Sequence, residues 1–208
     1  MQEPVGPLDE ASFSAVLTAA RDGAPWAAEA LFIDLQPRLL RFLRSAEPRA
    51  ADDLAGEVWL AIARGIATFV GELPDFRGWV FSIARRRLAD HRRTAARRAT
   101  DPVDHSRLAD RRDGADTAGQ ALDRMSGQAA VDLITASLPA EQAEVLVLRI
   151  VAELDVARVA EVMGRSANWV RVTQHRALRR LEERFEGDRE RIFQDPVIPT
   201  TAPTICSS

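Results

Sequence analysis

The chain has 208 residues, 46% of them hydrophobic but only 6% aromatic, with no tyrosine. That is room for one medium domain or two small ones, and it suits helical bundles better than β-rich folds. Its 28 basic residues are all arginine, and the formal net charge of -3 excludes a uniformly basic nucleic-acid coat, so the segregation of charge becomes the informative quantity.

A single cysteine, Cys206, excludes a disulfide framework and a cysteine metal site. No apolar run approaches a membrane span, and the opening MQEPVGPLDE lacks a basic and apolar leader pattern, so a cytoplasmic chain without membrane insertion is expected.

Apolar residues recur at helical spacing over Phe13–Ala20 and Trp26–Leu43, with Leu31, Leu35, Leu39 and Phe42 in one stripe. Pro37 predicts a kink or a break in the second run. A third helix is expected from Asp52, its cap, burying Leu54, Val58, Ala61 and Ile62. Gly71, Pro74 and Gly78 read as the following loop. The fourth helix then runs from Trp79 towards Arg93 with Val80, Ile83, Ala84 and Leu88 inward.

From Thr100 to Gly119 the composition turns to Asp, Gly, Arg and Pro, a solvated linker. Helical pattern resumes over Ala121–Ser137, and Pro139 suits the first turn of the next helix. Asp155 is placed to cap a short helix with Val156, Val159, Ala160 and Met163 inward, which Gly164 ends. Ser166 caps the next, with Trp169, Val170 and Leu178 expected inside. The chain is therefore read as all-α. Two small helical domains, 11–98 and 120–185, are joined by a flexible linker, 99–119, and a Pro/Thr/Ser-rich stretch, 186–208, reads as a disordered tail.

The small Ala160, the turn at Gly164 and the apolar Val170 meet the spacing demands of a helix-turn-helix, which implies duplex DNA as a partner. Arg165 stands where such motifs usually carry an apolar residue. Ser166, Ala167, Asn168, Arg171 and His175 are expected to face base edges or flanking phosphates. Arg176, Arg179 and Arg180 are expected at the backbone or in solvent.

The fourth helix carries a second basic face, Arg85, Arg86, Arg92 and Arg93, with Phe69, Phe76 and Trp79 at its mouth. Arginines suit phosphates and aromatics suit unpaired bases, where stacking is worth roughly 1–3 kcal/mol per base. Arg87 and Phe81 read as structural. So many like charges repel unless an anion offsets them, which favours a nucleic-acid role for the face. Asp53 and Glu57 lie one turn apart on the third helix and Trp59 leaves the apolar stripe; this patch fits a protein-docking surface and a solvated face equally well. His91, His105 and His175 are scattered, and no Gly-rich phosphate loop or nucleophile elbow occurs, so no catalytic residue, metal or cofactor is expected.

These blocks resemble one family, the extracytoplasmic-function sigma factors of bacterial RNA polymerase. PRLLRFLR (Pro37–Arg44), DDLAGEVWLAIARG (Asp52–Gly65) and FRGWVFSIARRRLADHRR (Phe76–Arg93) are similar to its second sigma domain. LPAEQAEVLVLR, VARVAEVMGRS and VRVTQHRALRRL are similar to its fourth, in order across the linker.

The resemblance implies that Asp53, Glu57 and Trp59 dock on core RNA polymerase. It implies that Phe69, Phe76, Arg77, Trp79, Arg85, Arg86, Arg92 and Arg93 recognise and melt the minus-ten promoter element. Ser166, Ala167, Asn168, Arg171, His175, Arg176 and Arg179 would read the minus-thirty-five element. An anti-sigma protein is implied by family habit. Gly56 stands where the family usually has glutamine, Arg86 replaces a common asparagine, and Ala167-Asn168-Trp169 replaces a Glu-Gly-Thr-like run. The alternative is a stand-alone helix-turn-helix regulator with an amino-terminal effector or dimerisation domain. Such a domain has no need of a second basic and aromatic surface.

Overall fold

The structure, a computed structural model, describes residues 8–100 and 118–194. Every regular element among them is a helix: α1 (Glu10–Arg21), α2 (Pro25–Ala46), α3 (Ala51–Gly65), α4 (Leu73–Thr100), α5 (Ala118–Ser137), α6 (Ala140–Ile150), α7 (Val156–Met163) and α8 (Ala167–Gln194). The expected linker falls mainly on residues 101–117, with His105, and the tail from 195 to Ser208, with Cys206; both lie outside the described residues. Helix α8 itself continues to Gln194, past the boundary expected at residue 185.

Local chemistry accounts for most helix ends. Asp9 caps α1 by accepting the Ser12 amide at 2.8 Å, and the Ser12 hydroxyl and amide hold its carboxyl below the ordinary carboxylate range. Asp155 caps α7 by accepting the Arg158 amide at 2.7 Å, and Gly164 ends it in the left-handed conformation with φ 64°. Ser166 Oγ accepts the Trp169 amide at 3.2 Å at the start of α8.

Three expectations are corrected. Pro37 lies inside one continuous helix, α2, and does not split it. Ala50, not Asp52, occupies the cap position of α3; Asp52 sits in the first turn and pairs with Arg44 at 3.3 Å. Helix α4 begins at Leu73, before Trp79, because a first-turn proline fits a helix and Asp75 reaches back to accept the Glu72 amide at 2.9 Å. Gly71, with φ 151°, makes the turn before it, where a Cβ would come within 2.7 Å of the Asp75 Cβ.

The buried apolar residues form one cluster running through both halves of the chain. In α1–α4 its largest fully buried members are Leu35, Leu39, Phe42, Leu43, Phe76 and Phe81. Each contributes roughly 1.5–3 kcal/mol relative to exposure. In the second half, Leu146, Leu148 and Leu154 play that part. Helix α8 buries Val170, Thr173 and Ala177, while Leu178 is 41% exposed, against expectation. Its inward stripe is thus one of small residues, spaced i, i+3, i+7. The halves touch where α7 packs on α4 and α5 on α2.

Candidate nucleic-acid and polymerase interface

The amino-terminal turns of α8 stand clear of the body. Asn168, Arg171, His175 and Arg176 are exposed, and Asn168, Arg171 and His175 share one face by their i, i+3, i+7 spacing. Ala167 and Trp169 are half-buried beneath them. The Arg165 guanidinium lies over the Trp169 ring at 5.2 Å and pairs with Glu141 at 3.2 Å. The usually apolar position is thus an exposed cation stacked on an indole. Arg179 pairs with Glu183 at 3.0 Å, and Arg180 donates to Gln142 at 3.2 Å.

The α4 face is different. Arg77 donates to both carboxylate oxygens of Asp34, at 3.3 and 3.2 Å, and to Glu153 at 3.1 Å, leaving its side chain 12% exposed. Asp34 is also 3.6 Å from Arg38, which itself meets Glu153 at 2.6 Å. Arg85 pairs with Glu144 at 2.9 Å, Arg92 with Glu47 at 2.7 Å, and Arg93 with Asp90. Arg86 is exposed. The anions that offset these arginines are supplied largely by the protein's own carboxylates, which the one-dimensional charge pattern did not show.

Phe69, Phe76 and Trp79 do come together, with ring centroids 5.2 to 5.7 Å apart. Phe76 is fully buried, though, and so is not itself a surface for bases. It backs the half-buried Phe69 and Trp79 from inside. Gly65 leaves the space that the Trp79 indole fills, since a Cβ there would meet its Cζ2 at 2.7 Å. Arg21 holds the adjoining loop to α1 through the carbonyls of Ile66, at 3.4 Å, and Phe69.

On α3, Asp53 and Glu57 are exposed, and Glu57 is 3.8 Å from Arg87. Trp59 donates from Nε1 to Gln36 at 2.6 Å and packs against the exposed Phe32 at 5.1 Å. Beside it runs a groove of about 690 Å³ between α2 and α3, lined in part by Leu31, Phe32, Ala55, Gly56 and Ile62. A Cβ at Gly56 would meet nothing within 4 Å, so the missing glutamine leaves open surface.

Sequence reasoning missed Asp34, Glu144, Glu153 and Arg158. Asp34 had a signal: it lies three residues after Leu31, inside the apolar stripe of α2. Among the described residues no group of three or more metal-ligating side chains converges, and no helix is long and apolar enough to cross a membrane.

The family model for sigma-70 region 2 matches residues 31–98, and that for sigma-70 region 4 matches residues 128–181. The chain is 31% identical over 175 residues to the ECF RNA polymerase sigma factor ShbA of Streptomyces griseus, covering 80% of this chain and 92% of that one. Over 190 residues it is 27% identical to the ECF RNA polymerase sigma factor BldN of Streptomyces coelicolor, covering 90% and 71% respectively. Among solved structures, CnrH in complex with the cytosolic domain of CnrY shares the fold, with a TM-score of 0.56 at 20% identity over 85% of this chain and 99% of that one.

Proposed function

The chain belongs to the extracytoplasmic-function sigma factors, which direct RNA polymerase to promoters, and from that premise we propose how its residues divide the work. The first domain, 11–98, binds core polymerase through the outer edge of α3. Asp53 and Glu57 supply charge there, and Trp59, held by Gln36 and Phe32, supplies a fixed aromatic surface.

The same domain melts the minus-ten element with α4 and the loop before it. Arg77, Arg85, Arg86, Arg92 and Arg93 take phosphates, Phe69 and Trp79 take unstacked bases, and Phe76 supports those rings from within. The second domain, 120–185, reads the minus-thirty-five element with Ser166, Ala167, Asn168, Arg171 and His175, flanked by Arg176 and Arg179. The linker, 99–119, sets the span between the two. The observation that carries this reading is the pair of basic helices, α4 and α8, on separate helical units, each at the surface its role requires.

The role is that of a binding and positioning subunit, working in the cytoplasm without catalytic chemistry of its own. CnrH was solved with the cytosolic domain of CnrY. The proposal extends to a protein partner of this kind, an anti-sigma protein, for this chain.

Run-off transcription tests the reading. Purified full-length chain added to core polymerase on a promoter library is expected to yield transcripts from a distinct subset of templates. If no template depends on the chain, the assignment fails.

A further inference from the structure

Three contacts join the second half of the molecule to the α4 face, and they share one chemistry. Glu144 of α6 holds Arg85 at 2.9 Å. Glu153, in the turn between α6 and α7, holds Arg77 at 3.1 Å and Arg38 at 2.6 Å. Arg158 of α7 pairs with Asp75 and lies across Gly78, its Cδ 3.3 Å from where a Cβ would stand. Two carboxylates thus meet arginines assigned to the minus-ten strand, and they do so with the donor geometry a phosphate would use.

The turn that delivers Glu153 is itself unusual. Glu153 has φ 54°, a left-handed conformation that residues with a Cβ seldom adopt. Its carboxylate is nevertheless clamped by two guanidinium groups. The closed arrangement also leaves Arg77 Nε and Arg158 Nε buried without a hydrogen-bond partner among the described residues. A contact that is acidic, specific and imperfectly satisfied is suited to exchange for another anion.

Resting on the assignment of the α4 face to the minus-ten element, we propose that α6, α7 and the turn between them form an acidic clasp. In the free chain the clasp closes over Arg77, Gly78 and Arg85 and keeps promoter DNA off them; joining polymerase separates the two units. The recognition face of α8 stays exposed in the closed state, so the two promoter readers are masked unequally.

The Arg158 Cβ lies 3.7 Å from the Cβ that Gly78 would carry, inside the roughly 3.5–4.5 Å range of disulfides. Full-length chain carrying Gly78→Cys and Arg158→Cys, with Cys206→Ser to remove the other thiol, is therefore expected to cross-link under mild oxidation. Bound to core polymerase on a promoter chosen by the run-off library, the oxidised chain should give at least tenfold less open complex by permanganate footprinting. Reductant should restore it. Equal melting by oxidised and reduced chains overturns the proposal, as does failure of two maleimide-reactive thiols to cross-link.

A second variant leaves the DNA-facing residues intact. Glu144→Gln with Glu153→Gln should let the chain, without polymerase, bind the single-stranded minus-ten segment of that promoter about tenfold more tightly; unchanged affinity overturns the clasp. If the minus-ten assignment itself is wrong, the result differs: the cross-link forms, yet Arg86→Ala with Arg93→Ala leaves melting by the otherwise unaltered chain at its full level.

Discussion

Helices α4 and α8 are each 28 residues long and rich in arginine, yet they meet the rest of the molecule in opposite ways. On α4, Arg77, Arg85, Arg87, Arg92 and Arg93 each face a carboxylate, three of them from other helices of the first half and two from the second half. On α8, Arg171, His175 and Arg176 are exposed and form no ion pair among the described residues, while Arg179 is paired only within its own helix. A basic face in a sequence is therefore not yet a cationic surface. What decides is which acids the fold brings to it. DNA arriving at α8 displaces counterions, whereas DNA arriving at α4 must displace carboxylates.

The sharpest way to break this comparison is Asp34→Ala. The Asp34 side chain is 2% exposed and carries both Arg77 contacts. Removing one partner of a buried pair strands the other, which costs about 3 kcal/mol. Urea denaturation should show that loss as a lower midpoint with an unchanged slope. A loss below about 0.5 kcal/mol would mean that the α4 pairs behave like surface pairs, and the contrast with α8 would vanish.

Arg171→Ala should behave in the reverse manner. Its exposed side chain supports no packing, so stability is expected to stay within about 0.5 kcal/mol of the parent. Affinity for the minus-thirty-five duplex, measured with core polymerase bound, should fall by about 1–3 kcal/mol if the side chain reaches a base. A loss that is uniform across promoter sequences would instead place Arg171 on the phosphate backbone.

The sequence carried the second half of the molecule well because its signals are local. Asp155, Gly164 and Ser166 act within four residues of where they stand, and the structure uses all three as read. The first half depended more on contacts at a distance. Arg77 and Glu153 are 76 residues apart, and Arg85 and Glu144 are 59 apart, so helical spacing holds no trace of either pair. Two misses were avoidable. Phe76, Val80, Ala84 and Leu88 are spaced four apart, and continuing that stripe one turn back places Phe76 in the core, where it lies. Pro74 was read as loop, although a proline in a first turn costs no hydrogen bond that the helix would otherwise make.

The smallest expected effect sets the baseline for the others. Arg179 and Glu183 form an i, i+4 pair at 3.0 Å with side chains 64% and 63% exposed. Water screens such a pair, and holding two long side chains in one geometry costs entropy, so Glu183→Gln should change stability by no more than about 0.5 kcal/mol. Raising salt should shrink even that, since the Debye length falls to about 3 Å at 1 M. The substitution also frees the Arg179 guanidinium beside the recognition face, and if that group meets a phosphate, DNA affinity rises slightly at low salt. A stability loss approaching that of Asp34→Ala would mean that burial does not separate the two helices. Their difference would then have to come from the number of acids facing each one, not from where those acids sit.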